Sequence, residues 1–333
     1  MKTWKFPTIE VDDDHLRATV EEILSCRLGK IVSVRTLKRE ANRFASLFPA
    51  DILSVSLSDG NRISLYLKHL GREESEHPDK NRLDREVRIY EELLYGSELP
   101  VPRYYGASWN PRSEHHELYL EYVNGWNLKY QEIDYWFAAA RSLGRLHAHF
   151  GAQPDKLAGA EFLLKLDEAH FRKWAERAFS AVESKSAELA GRLEPILANY
   201  DRVTGLIARQ PPTLVHNDLA PKNVLADLTA APARICFIDW ELAGSSCGLL
   251  DLVHLKYGLD PASDRKMCDE YFEGVAGTGL YPSGGAEISA LLSACALHKT
   301  MYRLAHHRYW GLPTEKMAAF VTEAEGHFQK VLG

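Results

Sequence analysis

Strand-like and helix-like patterns occupy different parts of this chain, and this segregation limits its fold more than any other feature. Before about residue 124, most apolar segments are short and interleaved with polar residues, which is typical of antiparallel strands. From about residue 132 onward, apolar residues recur mainly at helical spacing over longer segments. The pattern predicts an α+β protein of two lobes: an N-terminal antiparallel β lobe with one packed helix, and a mainly helical C-terminal lobe.

The N-terminal lobe is predicted to span residues 1–120 and the C-terminal lobe residues 121–333, with a hinge near 120–125. About five strands are expected in the first lobe, in the segments "IVSVRTL", "DILSVSL", "RISLYLKHL", "VPRYYGASW" and "ELYLEYV". The Asp-Gly of "SDGN" marks a hairpin turn between the second and third strands. Amphipathic patterns predict helices over residues 12–27 and 82–94.

The C-terminal lobe is predicted to be helical except for a short β island. Helices are expected over residues 135–150, 161–179 and 194–210, with three more after residue 250. The island consists of "TLVHNDL", "NVLADL" and "ARICFIDWEL". It therefore carries most of the polar residues discussed below.

Composition excludes several classes of protein. A net charge of −6 over 333 residues disfavours polyanionic partners, so no nucleic acid is expected. No apolar stretch approaches the roughly 18 residues of a membrane span, and the acidic start "MKTWKFPTIEVDDDHL" predicts no signal peptide. The five cysteines are scattered and form no CxxC pair, which favours reduced thiols and a cytoplasmic location. A monomer and a homodimer both remain open.

One constellation of polar residues lies on the β island. Asp218 and Asn223 are five residues apart in "HNDLAPKNVL", and Asp239 ends the apolar strand "ICFIDWE". Phosphoryl transfer needs a carboxylate to orient the attacking hydroxyl, plus hard oxygen ligands for Mg²⁺, and this set supplies both. His216 can hydrogen-bond backbone groups and hold the turn. The alternative is a loop rich in turn-forming residues, which the ordered spacing disfavours.

A lysine and a glutamate upstream complete the chemistry that a kinase requires. Lys68 lies near the end of the third predicted strand, where a lysine can bind the α- and β-phosphates of a nucleotide. Glu86 lies on the following helix and shares a face with its apolar residues, so it is directed toward the sheet. Taken singly, each residue fits a solvated surface position; their order and placement favour a functional pair.

The chain resembles the aminoglycoside phosphotransferase and choline kinase family, small-molecule kinases with a protein-kinase-like fold. The resemblance covers nearly the whole chain and is most specific in "LVHNDLAPKNVL" and "FIDWELAGSSCGLLDL". It implies that Asp218 is the catalytic base, that Asn223 and Asp239 bind Mg²⁺, and that ATP is the phosphate donor. Further roles are implied for the pair Lys68 and Glu86, for the Glu121 carbonyl and the Val123 amide at adenine, and for Asp251 and His147 as structural support.

Two features leave some residue roles at the nucleotide site open. Lys222 follows Asp218 by four residues, where its ammonium group can reach the transferring phosphate or simply lie in solvent. The segment that should cover the phosphates, "KREANRFASLFPA", contains no glycine, so Asn42, Arg43 or Ser46 would have to make those contacts. This leaves GTP open beside ATP. It also leaves a catalytically silent nucleotide-binding protein as an alternative of another class.

The acceptor is predicted to be a small molecule with a hydroxyl group. The segments after residue 250 supply acidic and aromatic residues, which suit a cationic acceptor. Aminoglycoside-like and other antibiotic or natural-product acceptors are expected first, with choline, ethanolamine or sugars as alternatives. The predicted acceptor contacts are Asp260, Glu273, Tyr302, His306 and Trp310. Helix packing and solvent exposure offer a competing explanation for these residues, in which the pocket is neutral.

Overall fold

The structure is a computed structural model that describes residues 9–43, 48–71, 77–111, 114–306 and 311–333. Contacts between residues divide the chain into two compact units. The first comprises Met1–Trp126 together with Leu225–Leu242, and the second comprises Asn127–Val224 together with Ala243–Gly333. The segment Leu225–Leu242 therefore belongs with the N-terminal residues, although it lies about 100 residues away in the sequence.

The first unit begins with helix α1, Asp13–Leu28. The Asp12 side chain accepts hydrogen bonds from the backbone N–H groups of Asp14 and His15, which satisfies two donors of the first turn. Gly29 ends the helix in the left-handed conformation, at φ 63°. Leu16, Val20, Ile23 and Leu24 form the buried face and pack in one apolar cluster with residues of the sheet.

Five antiparallel strands form the sheet of the first unit, in the order β1-β2-β3-β5-β4. They are β1 Val34–Ala41, β2 Ala50–Leu57, β3 Arg62–Gly71, β4 Tyr104–Asn110 and β5 His115–Glu121. The prediction of about five antiparallel strands is confirmed. The first strand was predicted to begin at Ile31, which is wrong by three residues: Ile31 is exposed, and the Val32 N–H donates to Ser25 Oγ on α1.

A short helix follows the sheet's third strand. Helix α2, Arg85–Arg88, continues without interruption as one π-helical segment, Ile89–Leu94. Its predicted start at residue 82 was three residues early. The widened turn is typical of functional sites, and here it begins at Ile89, three residues after Glu86.

The segment Leu225–Leu242 is tied to the rest of the first unit by specific bonds. Strand β9, Val224–Asp227, is the central strand of a three-stranded sheet. It lies between β10, Arg234–Phe237, and the two-residue strand β6, Trp126–Asn127. The Phe237 N–H donates to the Pro100 carbonyl at 2.7 Å. Arg234 makes two hydrogen bonds to the Glu121 carboxylate, at 2.6 and 2.9 Å. This bidentate geometry fixes β10 against the end of β5.

A buried polar cluster lies on β2, β3 and β5 of the same unit. His69 bonds Asp51 through Nε2 and His115 through Nδ1, at 2.9 and 3.0 Å. The Glu117 carboxylate accepts bonds from Ser108, Asn110 and Tyr119. Ligand atoms of His69, His115 and Glu117 lie within 4.8 Å of one another, a spacing that also suits a metal ion. The hydrogen bonds account for this cluster as a network within the sheet.

The second unit is mainly helical. Its helices are α3 Ile133–Gly151, α4 Pro154–Ala158, α5 Glu168–Glu183, α6 Ala187–Ala198, α7 Tyr200–Ala208, α8 Leu249–Leu255, α9 Pro261–Gly274, α10 Gly285–Ala305 and α11 Thr314–Leu332. Three short strands, β7 Leu164–Lys165, β8 Thr213–Val215 and β11 Gly244–Ser246, form a sheet with β11 at its centre. The α+β class is confirmed, and no helix within the described residues is long and apolar enough to cross a membrane.

Two predicted boundaries in this unit were wrong. The helix expected over residues 161–179 begins only at Glu168, because the Leu164 N–H bonds the Ala243 carbonyl in β7 and Asp167 caps α5. The helix expected over 194–210 is two helices, α6 and α7, which meet at Asn199. In the described ranges, the three expected helices α9, α10 and α11 begin after residue 250, and α8 begins just before it, at Leu249. A short apolar run such as "FLLKL" fits a strand and a helix equally well.

Candidate active site

Lys68 and Glu86 form a buried ion pair in the first unit. The Lys68 ammonium on β3 lies 2.6 Å from Glu86 Oε2 on α2, and the two residues are 8% and 2% exposed. Burial alone would lower the pKa of Lys68, but the carboxylates of Asp239 and Glu86 outweigh it and raise that pKa well above its ordinary value. Lys68 is therefore protonated at neutral pH and can bind an anion.

Asp239, two residues after the end of β10, contacts the same lysine. Its Oδ1 lies 2.6 Å from Lys68 Nζ, across 171 residues of sequence. Asp239 has φ 71°, a left-handed conformation that is uncommon outside glycine but tolerated by aspartate. The next backbone N–H, from Trp240, donates to the other Glu86 oxygen at 3.1 Å. Glu86 thus holds both the lysine and the backbone that carries Asp239.

Glu241 extends this cluster, and the sequence analysis missed it. Its carboxylate forms an ion pair with Lys80, and its carbonyl accepts a hydrogen bond from the buried Arg85 guanidinium at 2.7 Å. Burial and the neighbouring Asp239 carboxylate raise the pKa of Glu241. No local pattern joins Glu241 to these two cations, which lie 161 and 156 residues earlier in the sequence. Two basic residues thus anchor the segment that follows Asp239.

The two predicted adenine contacts, Glu121 and Val123, lie at the end of β5 and just after it. Glu121 ends β5, its N–H donates to the Arg103 carbonyl at 2.8 Å, and its side chain is held by Arg234. Val123 is buried two residues later. Ser46, predicted to cover the phosphates, lies outside the described residues. Glu121 and Val123 remain candidates for adenine recognition.

In the second unit, Asp251 organises the loop that carries Asp218. Asp251 is fully buried on α8 and accepts the backbone N–H groups of His216 and Asn217, at 2.6 and 2.8 Å. His147 Nε2 on α3 approaches the same carboxylate at 3.4 Å. Burial alone would raise the pKa of Asp251, but His147 and Lys299 outweigh it and lower that pKa. A buried, ionised carboxylate therefore fixes the loop backbone.

Asp218, Lys222 and Asn223 come together on that loop. Asn223 Nδ2 donates to the Asp218 carbonyl at 2.8 Å and to Asp218 Oδ2 at 3.2 Å. Lys222 Nζ lies 3.4 Å from Asp218 Oδ2 and is more than half exposed. The imidazole of the buried His216 accepts the Asp218 backbone N–H at 3.3 Å. A base, a cation and an amide oxygen are thus presented by one short turn.

Lys299, on α10, is a second residue that the sequence analysis missed. It is 2% exposed, and its ammonium group donates to the Asn217 carbonyl at 2.7 Å and to Asn217 Oδ1 at 3.0 Å. Burial lowers its pKa to about 8, although the Asp251 and Asp218 carboxylates oppose that shift. The only sequence signal was a lysine within the mainly apolar run "LLSACALHKTMYRLA".

The predicted acceptor residues have structural partners in the second unit. The exposed Asp260 caps α9 by accepting the N–H groups of Ala262 and Ser263. Glu273 is paired with Arg141 at 3.0 Å. Tyr302 and His306 are buried, with ring centroids 4.5 and 5.1 Å from that of Trp174. Trp310 lies outside the described residues. These contacts favour capping, ion pairing and packing for the four residues described.

Asn223 in the second unit and Asp239 in the first each offer an oxygen atom of the kind that Mg²⁺ prefers. Both bonds that Asn223 makes to Asp218 use its Nδ2, so its Oδ1 is the atom that can serve as a metal ligand. Asp239 offers a carboxylate that is about one quarter exposed. Both are hard oxygen donors, the type that Mg²⁺ prefers.

Comparisons with solved structures agree with this geometry at the level of the fold. A microcompartment-associated aminopropanol kinase aligns with TM-score 0.61 and 17% identity over 88% of this chain and 90% of its own. A macrolide 2'-phosphotransferase from Brachybacterium faecium gives 0.56 and 19%, over 91% and 97%. A GDP and kanamycin complex of APH(2")-IIia gives 0.55 and 14%, over 93% and 98%. None of the curated protein sequences compared with the chain matches it.

The sequence profile of the Phosphotransferase enzyme family, APH, matches residues 54–284. This range contains the ion pair of Lys68 and Glu86, the loop with Asp218 and Asn223, and the strand that ends at Asp239. The predicted resemblance is therefore confirmed. The chain belongs to the Phosphotransferase enzyme family and is a small-molecule kinase of that family.

Proposed function

We propose that this protein transfers the γ-phosphate of ATP, with Mg²⁺, to a hydroxyl group of a small molecule. The observation that carries the proposal is the turn on which Asp218, Lys222 and Asn223 converge, braced by the buried Asp251. Lys68, held by Glu86, supports nucleotide binding because a buried ammonium group is a strong partner for phosphate oxygens. Mg²⁺, when bound, would neutralise the phosphate charge, with Asn223 and Asp239 as its ligands.

The residues divide the reaction between them. Asp218 orients the acceptor hydroxyl, accepts its proton as the oxygen attacks phosphorus, and so keeps the nucleophile in place. The P–O bond to the γ-phosphate breaks and ADP leaves with the bonding electrons. Lys222 lies on the same turn, where its ammonium can stabilise charge on the transferring group. Lys68 holds the phosphates of the leaving nucleotide.

A cationic acceptor remains our proposal, with an aminoglycoside-like or other natural-product alcohol as the first candidate. The net charge of −6 favours approach of a cation. Kanamycin and aminopropanol, which appear in the names of structural neighbours, are amines that carry hydroxyl groups. The capping and pairing of Asp260 and Glu273 weaken the residue-level argument, so choline, ethanolamine and neutral sugars stay in the comparison.

The test is an ADP-release screen with ATP and GTP, with and without Mg²⁺. Acceptors are aminoglycosides, macrolides, choline, ethanolamine, amino alcohols, amino acids and neutral sugars. Turnover with one acceptor class should fall at least ~10²-fold in Asp218→Ala while nucleotide affinity stays near normal, because the base acts on the acceptor. Asp201→Asn changes an exposed carboxylate paired with Arg172 and is the matched control. Full activity in Asp218→Ala would exclude this mechanism, and turnover confined to neutral sugars would exclude the cationic acceptor.

A further inference from the structure

Asn217, the residue before the proposed base, has a backbone conformation that needs support. Its φ is 65°, in the left-handed region where a side chain is strained. Asparagine tolerates this region better than most residues, yet it remains less favourable there than glycine. The conformation determines the direction in which the chain enters Asp218.

Two buried charged residues bind the polar groups of Asn217. Asp251 accepts its N–H, while Lys299 donates to both its carbonyl and its side-chain oxygen. Lys299 thereby links the side chain of Asn217 to the backbone carbonyl of the same residue. Its ammonium group also lies 5.5 Å from the centroid of the Tyr302 ring. At this buried position, hydrogen bonds to Asn217 replace the water molecules that would hydrate the ammonium group in solution.

We propose that Lys299 is a positioning residue for phosphoryl transfer, which holds Asn217 in the left-handed conformation and so orients the Asp218 carboxylate toward the acceptor. The inference rests on the proposed function, in which Asp218 is the base. Lys299 touches neither nucleotide nor acceptor in this scheme; it acts through Asn217. The role follows from the contacts that Lys299 makes with Asn217.

Stability alone does not explain why an ammonium group is buried here. The pKa of Lys299 is lowered from 10.5 to about 8, chiefly by burial. Because the unfolded chain binds the proton more tightly, the buried charge opposes folding in full below about pH 8. That cost is relieved as the pH rises from about 8 toward 10.5. A charge kept against folding stability is typical of a functional site.

Several charged and titratable groups surround the Lys299 ammonium and set its ionisation. Carboxylates on two elements, the loop and α8, favour the charged form, whereas a guanidinium on its own helix disfavours it. The groups that interact electrostatically with Lys299 are Asp218, Asp251, His254, Cys295, His298 and Arg303. Deprotonation removes the charge assistance from both bonds to Asn217. Turnover should therefore fall above about pH 8, in the window where this lysine ceases to oppose folding.

The first test needs neither nucleotide nor acceptor. Lysines labelled with ¹³C at Cε are titrated by NMR in the full-length protein, and the Lys299 signal is assigned by its loss in Lys299→Arg. We expect a midpoint near pH 8, and a lower midpoint in Asp218→Asn, since the Asp218 carboxylate favours the ammonium form. A Lys299 midpoint that does not respond to Asp218→Asn would overturn the proposal.

The second test measures turnover by ADP release with ATP, Mg²⁺ and the best acceptor of the screen. Lys299→Met should lower kcat by about tenfold or more with little change in nucleotide KM, as expected for losing a hydrogen bond to a charged group. Lys299→Arg should retain activity and abolish the fall in kcat above pH 8, because guanidinium does not titrate there. Lys266→Met, which changes an exposed lysine paired with Glu270, is the control and should match the wild type.

A double-mutant cycle separates positioning from general damage. Glycine adopts φ 65° without strain, so Lys299→Met should cost less turnover in the Asn217→Gly background than in the wild type. Equal losses in both backgrounds, or wild-type kcat in Lys299→Met, would overturn the proposal. If Lys299→Met does not fold, the pH profile of Lys299→Arg against the wild type decides. Full activity in Asp218→Ala would instead defeat the proposed function, while the NMR titration still reports on Lys299 independently.

Discussion

At the scale of single residues, this protein concentrates buried charge around the residues proposed to take part in phosphoryl transfer. Lys68 is surrounded by Glu86 and Asp239, and Lys299 lies beside Asp251 and the Asp218 loop. Burying a charge is costly unless a partner of opposite sign and directed hydrogen bonds compensate it. Each lysine meets that condition differently: Lys68 through carboxylates at 2.6 Å, Lys299 through neutral oxygens of Asn217. Their pKa values accordingly move in opposite directions.

The Lys68 and Glu86 pair yields a stability prediction. Lys68→Met should lower the free energy of unfolding by about 3–5 kcal/mol, because it leaves Glu86 buried beside Asp239 without a cation. The double variant Lys68→Met with Glu86→Gln should recover much of that loss, since no unpaired buried charge remains at residue 86. Urea unfolding at pH 7 measures all three proteins. Nucleotide binding should be lost in Lys68→Met, and the double variant should not recover it.

The matched control is Lys30→Met, which removes an exposed pair between Lys30 and Asp59 in the same unit. We expect little change in its unfolding midpoint, because solvent screens exposed pairs. An unfolding midpoint for Lys68→Met equal to that of Lys30→Met would contradict the view that Glu86 depends on Lys68.

At the scale of elements, helix ends account for residues that the sequence alone suggested were functional. Asp260 was predicted to contact the acceptor, yet its side chain caps α9. Aspartate at an N-cap satisfies otherwise unpaired N–H groups and favours the positive end of the helix dipole. A surface carboxylate at such a position therefore has a sufficient structural reason to be present.

Asp260 can be assigned to one of these roles by a pair of substitutions. Asparagine caps helices about as well as aspartate, whereas alanine does not. If Asp260 is only a cap, Asp260→Ala lowers the melting temperature by a few degrees, Asp260→Asn changes it little, and both keep the wild-type KM for a cationic acceptor. A raised KM in Asp260→Asn, with an unchanged melting temperature, would instead assign it to the acceptor site.

Elements with local signals were predictable, and residues joined by distant packing were not. Helix α1, the β2–β3 hairpin and the placement of Lys68 and Glu86 follow from short-range patterns, so the structure matches them closely. Lys299 lies 82 residues from Asn217, and periodicity carries no information on which loop a helix contacts. Asp239 lies 171 residues from Lys68, and it could be assigned to the same site only because its motif is specific. Helix starts such as that of α5 depended on tertiary hydrogen bonds.

At the scale of the whole molecule, the first unit is discontinuous in sequence. Leu225–Leu242 supplies Arg234 to Glu121, Asp239 to Lys68 and the Trp240 N–H to Glu86. These bonds stabilise the buried pair of Lys68 and Glu86 and the half-buried Glu121 carboxylate, all of which belong to the N-terminal segment. The unit that holds Lys68 is therefore completed only when the chain returns to it after more than 90 intervening residues.

This discontinuity predicts how fragments of the protein behave. Residues 1–126 alone should lack a cooperative thermal transition by circular dichroism and should be digested readily by protease. In this fragment the buried Glu86 loses the Trp240 N–H, and the half-buried Glu121 loses Arg234. Joining residues 225–242 to Trp126 through a short glycine-serine linker should restore the transition. The linker can be short because a Cβ at Gly125 would lie only 2.8 Å from the Ala226 carbonyl oxygen. The control carries residues 225–242 in scrambled order, and a fragment 1–126 as stable as the fusion would show that the returning segment is dispensable.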